Sequence, residues 1–157
     1  MSEFLLWKND KVADVPLILT FPHSGLLVPA KATWLKKHSK EILLTDVDND
    51  VDFLYEKVIE KLSLPSLVNQ VIRVVADLNR YPVDIDEASV EGAKEPKGTF
   101  PKGFYWQVTT LGEQLMKKPI SKELHEYFVK EVHDKFHQEL QNKIVEIKRA
   151  FPKNPIY

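Results

Sequence analysis

Three short stretches of the chain carry residue types that can do chemistry. In Pro22-His23-Ser24-Gly25 an imidazole and a hydroxyl stand between a proline and a glycine. A neutral imidazole can ligate zinc or act as general base toward a nearby hydroxyl, and a lone His more often makes a structural hydrogen bond. Asp46-Val47-Asp48-Asn49-Asp50-Val51-Asp52 is the most acidic stretch, and Asp48 can offer a carboxylate oxygen to a metal. The plainer reading is a helix start, with Asp48 or Asn49 as N-cap and acids at the positive end of the helix dipole, and composition alone favours it. In Asp77-Leu78-Asn79-Arg80, Asn79 and Arg80 make a fork of donors suited to a carboxylate. An Arg at a strand end otherwise usually makes a surface ion pair.

Those side chains need elements to hold them. Leu17 to Phe21, bounded by Pro16 and Pro22, reads as a short strand apolar on both faces, with His23 just beyond its carboxyl end. Such strands belong to parallel or mixed sheets covered by helices, which place ligands at the carboxyl ends of their strands. Leu67-Val68 and Val71 to Ala76 read as a second, β-branched strand running into Asp77. Phe4 to Trp7 is a first strand or an apolar plug, and Lys31 to His38 is predicted as a short surface helix. Val51, Leu54, Tyr55, Val58, Ile59 and Leu62 recur at helical spacing before Pro65.

From Val83 to Lys102 the composition is that of a long loop or lid, and Phe104 to Thr110 reads as a strand in preference to a pocket wall. Ser121 is the expected cap of a long helix from about Lys122 to Arg149, with Leu124, Phe128, Val132, Phe136, Leu140, Ile144 and Ile147 as its apolar stripe. His133 and His137 lie one turn apart near that stripe, where packing or surface roles are expected. Phe151-Pro152 ends the helix, and an extended segment is expected after it. The order of elements predicts an α/β domain, residues 1–157, with a mixed or parallel sheet flanked by helices, that stops as if another strand were due.

Composition narrows the function classes. A chain of 157 residues is the size of one domain, and 43% hydrophobic with 29% charged residues is ordinary for a globular protein. Lys plus Arg is 22 against 23 for Asp plus Glu, a balance that argues against a nucleic-acid footprint or an anionic membrane surface. There is no cysteine, so any metal must be held by His and carboxylates. Neither a basic n-region nor an apolar run of about 20 residues is present, and a cytoplasmic protein is expected. Length and composition leave the oligomeric state open.

Taken in order, Pro22 to Gly25, the D-x-x-V-D of Asp48 to Asp52 leading into Phe53-Leu54-Tyr55, and Asp77 to Arg80 resemble the N-formylglutamate amidohydrolase family. Weaker matches follow between Trp106 and Ile120 and in the F-H-x-x-L of Phe136 to Leu140. The resemblance implies a phosphorylase/hydrolase-like fold related to the zinc carboxypeptidases (zinc exopeptidase-like). The implied activity is zinc-dependent hydrolysis of an N-formyl or N-acyl amide whose leaving portion carries a carboxylate. On matched positions, His23 and Asp48 would hold zinc, Asn79 and Arg80 would bind the substrate carboxylate, and Arg73 and Asp77 would support them. His137 stands at the family's helix histidine, implying a substrate contact or a supporting role. A zinc-activated water would attack the polarised carbonyl.

The resemblance further implies a strand after Tyr157 with an Asp-x-His-Ser motif and a later general-base glutamate, neither of which is in this sequence. The expectation is therefore either a fragment of a longer protein or a shortened relative that no longer catalyses. The competing readings are a non-catalytic carboxylate-binding domain using Asn79 and Arg80 without metal, and a plain structural domain.

Overall fold

The computed structural model describes residues 3–94 and 101–153. Its sheet has three strands, β1 (Leu5–Asn9), β2 (Leu19–Phe21) and β3 (Ser66–Asn69), in the order β1-β3-β2. β1 runs antiparallel to β3, with Leu5 opposite Asn69 and Trp7 opposite Leu67, and β2 runs parallel to β3, with Phe21 opposite Val68. The sheet is therefore mixed, as expected, but the roles of the strands are exchanged. Every residue of the central strand β3 is buried, whereas β2 lies at the edge with only Phe21 fully covered.

Alternation along β3 divides the apolar residues between two faces. Leu67 joins the main core with Phe104, Tyr105, Phe128, Val132 and Phe136. Val68 packs on the other side with Phe21 and Ile59.

Val71 to Ala76 is not a strand. Val71 makes one parallel bridge to Leu27, and the residues after it turn, although Val71, Val74, Val75 and Ala76 are all fully buried. The interruption is made by Asn69. Its amide donates to the Pro22 and Val71 carbonyls, each at 2.9 Å, and its Oδ1 accepts from the Val71 N–H at 3.1 Å. The ladder then resumes around Gly25, where Leu27 N–H donates to Gln70 O at 2.8 Å. A Cβ on Gly25 would lie 2.3 Å from the Gln70 carbonyl carbon, so close backbone approach, not a turn conformation, demands glycine here.

The helices are α1 (Lys40–Leu44), α2 (Val51–Leu54), α3 (Glu56–Leu62), α4 (Lys122–Phe128) and α5 (Lys135–Ala150). Ser121 caps α4 by accepting from the Leu124 N–H. A π turn over Val129–Asp134 joins α4 to α5, so the long helix expected from the stripe is present with one widened turn. The helix expected over 31–38 shrinks to a 3₁₀ turn at Thr33–Leu35. The expected helix over 51–62 is divided at Tyr55, and of its stripe only Ile59 is buried.

Phe104 to Thr110 forms isolated bridges, Lys102 to Trp106 and Val108 to Gln114, and no strand. The loop expected over 83–102 has no regular element among its described residues, and it is packed instead of free. Asp86 and Ser89 are buried, with Asp86 Oδ1 accepting from the Ser89 N–H at 2.8 Å and from Gln107 Nε2 at 2.9 Å. Residues 95–100 of that loop, and the segment expected beyond Lys153, lie outside the described residues. Among the described residues no helix is long and apolar enough to cross a membrane.

Candidate functional site

Asp77 is the node on which the polar residues converge. Its side chain is fully buried, and each carboxylate oxygen has two partners. Oδ1 is 2.9 Å from His23 Nε2 and accepts from the Asn79 N–H at 3.0 Å. Oδ2 accepts from Arg73 Nε and from Trp106 Nε1, both at 3.0 Å. Burial alone would push this carboxyl up, but hydrogen bonding and charge from His23, the Arg73 guanidinium and the Asn79 amide hold it well below the usual carboxylate range. Asp77 is therefore a fixed anion. The Arg73 guanidinium also lies over the Trp106 ring, 4.6 Å from its centroid, so the cation is held on two sides.

The anion fixes His23, which is itself buried. With Nε2 facing Asp77, the other ring nitrogen, Nδ1, stands 3.4 Å from Asp48 Oδ2. The segment bearing Asp48 is clipped to the His23 loop by two bonds of 3.1 Å, from Asp48 N–H to His23 O and from Ser24 Oγ to Asp48 O. Asp48 is not the helix cap that composition favoured, and neither is Asn49. Asp50 occupies the N-cap position in a left-handed conformation (φ 59°) with no side-chain cap bond, which leaves the Asp48 carboxylate half-exposed beside His23.

The pair suits zinc in three respects. Two donors on one tetrahedral zinc, each at about 2.0–2.1 Å, are roughly 3.4 Å apart. A His that ligates through one nitrogen commonly offers the other to a carboxylate, the place Asp77 takes. The donors are imidazole and carboxylate, both proper to zinc. A third ligand is missing: among the described residues no group of three or more His, Asp or Glu side chains is placed to hold an ion.

Arg80 and Asn79 follow Asp77 on a turn closed by the Arg80 N–H donating to Asp77 O at 3.0 Å. Asn79 is exposed, and its backbone, not its side chain, serves Asp77. Arg80 Nε is buried with no hydrogen-bond partner, and no carboxylate among the described residues pairs with the guanidinium. The surface ion pair expected of an ordinary strand-end Arg is therefore absent among the described residues. His137 comes to the same turn from α5, where Nε2 donates to Leu78 O at 3.1 Å. Burial of the ring and the neighbouring His133 lower its pKa, partly opposed by that hydrogen bond. His133 lies tilted against His137, with centroids 4.3 Å apart, and no contact joins it to His23 among the described residues.

The structure thus joins His23, Asp48, Arg73 and Asp77 through direct contacts and places Asn79, Arg80 and His137 around the next turn. Trp106 is the participant that sequence reasoning missed. An aromatic residue in an aromatic run carries no local sign that its N–H serves a buried anion.

No curated protein matches the chain. The fold matches the crystal structure of N-formylglutamate amidohydrolase from Ralstonia eutropha JMP134 with a TM-score of 0.77 at 22% identity, over 94% of this chain and 53% of that one. It also matches that of a gene product from Agrobacterium tumefaciens, with a TM-score of 0.66 at 16% identity, over 88% of this chain and 48% of that one. This chain spans about half the length of each. The sequence model of the N-formylglutamate amidohydrolase family matches residues 15–156, a span that holds every residue of the cluster around Asp77, and the chain belongs to that family.

Proposed function

We propose that the chain carries the substrate-recognition and metal-holding part of an amidohydrolase acting on an N-formyl or N-acyl amino acid, N-formylglutamate being the leading case. The observation that carries this reading is the contrast within one turn. Asp77 is saturated while Arg80, three residues on, has a guanidinium with no anionic partner among the described residues. A carboxylate on the substrate is the natural counterion, and Arg binds carboxylates in bidentate fashion. Asn79, exposed beside it, adds an amide donor, and His137 closes the helix side of the turn.

His23 and Asp48 would hold zinc, with Asp77 fixing the imidazole. When bound, that ion supplies a Lewis acid for the scissile carbonyl and lowers the pKa of attacking water to about 7. The chain's own contribution is orientation: Arg80 and Asn79 anchor the amino-acid end of the substrate, and the buried Asp77 keeps His23 from turning away. The relation to zinc exopeptidases, a single domain over residues 1–157 and a cytoplasmic location belong to this same reading.

A second reading, a carboxylate-binding domain without catalysis, is favoured by the absence of a third donor among the described residues. Zinc content after dialysis, together with formate release from N-formyl-L-glutamate, separates the two. The first reading expects one zinc per chain, lost in His23→Ala and Asp48→Asn and kept in Arg80→Ala, and any formate release follows the zinc. Absence of zinc and of formate release, with N-formylglutamate still raising Tm in wild type but not in Arg80→Ala, would establish the second.

A further inference from the structure

A cleft of about 740 Å³ opens between the turn at Thr33–His38, the segment from Glu113 to Ile120, and Leu124 on α4. Sites for small molecules run to about 300–1,000 Å³. None of the residues lining it belongs to the cluster around Asp77. Its lining is mixed, and Trp34, Leu115, Ile120 and Leu124 supply the apolar part, with Leu115 and Ile120 buried.

Its rim is basic. Lys37, Lys117 and Lys118 line it, and none has a carboxylate partner among the described residues, whereas Glu113 is the one acid among the lining residues. Against a whole-chain charge of -1 this is a local excess of cations over a hydrophobic floor.

The walls are held in place before any ligand arrives. Trp34 packs edge-on against Tyr105 and Phe128, with centroids 6.2 and 5.8 Å apart. His38 Nε2 is bonded to Leu115 O at 3.1 Å, and Leu115 N–H donates to Gln107 O at 2.8 Å. The Trp34 indole N–H is buried and has no hydrogen-bond partner.

We propose that this cleft is a second ligand site, distinct from the cluster around Asp77, and that it takes a small amphipathic anion: a flat apolar group joined to a carboxylate, sulfonate or phosphate. The apolar part lies against Trp34 and Leu115, and the anion meets Lys117, Lys118 and Lys37. The pairing of a preformed apolar floor with unpaired cations at its edge selects for both parts at once, since either alone would leave the other surface exposed to water.

Isothermal titration of the full chain with 2-naphthalenesulfonate and with the uncharged 2-naphthalenemethanol tests this. The expected result is one sulfonate per chain, bound at least tenfold more tightly than the alcohol. In the double variant Lys117→Glu/Lys118→Glu, whose positions are exposed, affinity for the sulfonate falls at least tenfold with Tm unchanged. Arg80→Ala binds it as wild type does, whatever the fate of the hydrolase reading. Equal binding of the two probes, no saturable binding of the sulfonate, or indifference to the double variant would overturn the proposal. So would loss of binding in Arg80→Ala, which would place the probe beside Asp77 instead.

Discussion

Asp77 and Arg80 share one turn, joined through a backbone hydrogen bond of 3.0 Å, and yet their side chains stand at opposite extremes. The carboxylate of Asp77 is wholly buried and accepts or shares four close contacts, from His23, Asn79, Arg73 and Trp106. Arg80 keeps a buried Nε with no acceptor. A buried charge without compensation is expensive, and that of Asp77 is compensated on every side, whereas the buried Nε of Arg80 is left for the proposed substrate carboxylate to complete. One side of the turn serves the fold, and the other, on the proposed reading, serves recognition. If that division is right, substitutions on the two sides should separate stability from binding.

The largest effect is expected at Asp77. Asp77→Ala strands the Arg73 cation, the Trp106 N–H and the buried His23 ring, and removing one partner of such a buried pair costs about 3–5 kcal/mol. Urea unfolding at 25 °C reads this directly, and a loss below about 1 kcal/mol would deny Asp77 its structural role. At Arg80 the expectation reverses. Arg80→Ala should leave stability unchanged or raise it slightly, by no more than about 0.5 kcal/mol, since it removes a buried donor that has no partner to lose. It should weaken N-formylglutamate or a small dicarboxylate by about 1.5–3 kcal/mol, roughly 10- to 150-fold in Kd. Unchanged affinity together with a large fall in stability would erase the distinction.

The same division explains what could be read from the sequence. Residues that act through short-range pattern were legible. Ser121 caps its helix, and Phe128, Val132, Phe136 and Ile147 are buried along it as the stripe required. The widened turn inside that helix also has a trace in the sequence. In a regular α-helix each four-residue step overshoots a full turn by about 40°. Phe128, Val132 and Phe136 are spaced by four and are all buried, and the π turn between them absorbs the drift.

Val51, Leu54, Val58 and Leu62 keep a similar spacing, but Leu54 is 73% exposed and the helix divides at Tyr55. Periodicity states that a face exists, not that anything covers it. Val71 to Ala76 failed for another reason. A short, fully buried apolar run looks alike whether its backbone is extended or turning, and here it turns to bring Arg73 and Asp77 onto the same anion network. His23 and Asp48 were legible as candidates by type, whereas their meeting depends on clips between backbone groups that no pattern announces.

The smallest expected effect sharpens the comparison by acting on the backing of Asp77 and sparing Arg80. The Asp77 N–H donates to Phe104 O at 2.9 Å, and Trp106 supplies its indole, so the segment 104–106 holds the anion from behind. That segment is tied to α4 where the Tyr105 hydroxyl and His125 Nδ1 share a hydrogen bond of 3.1 Å. With a neutral imidazole and a protonated phenol, either group donates according to the ring tautomer. Burial supplies both conditions, lowering the pKa of His125 against a small opposing pull from Glu126, and pushing the Tyr105 hydroxyl up.

Because the folded state resists protonation of His125, an unfolded chain takes up that proton first as pH falls below about 6.5. The contribution of His125 is therefore complete above that pH and is lost below it. Asp77, held low, stays ionised throughout this window and adds nothing to the change. Tm measured at pH 7.5 and 5.5 for wild type and His125→Asn should show the wild-type advantage shrinking at the lower pH, while dicarboxylate affinity at pH 7.5 stays the same in both. An advantage that does not change with pH would mean that Tyr105 and His125 do not anchor the wall behind Asp77, and the stability of the architectural side would have to come from the four contacts of the carboxylate alone.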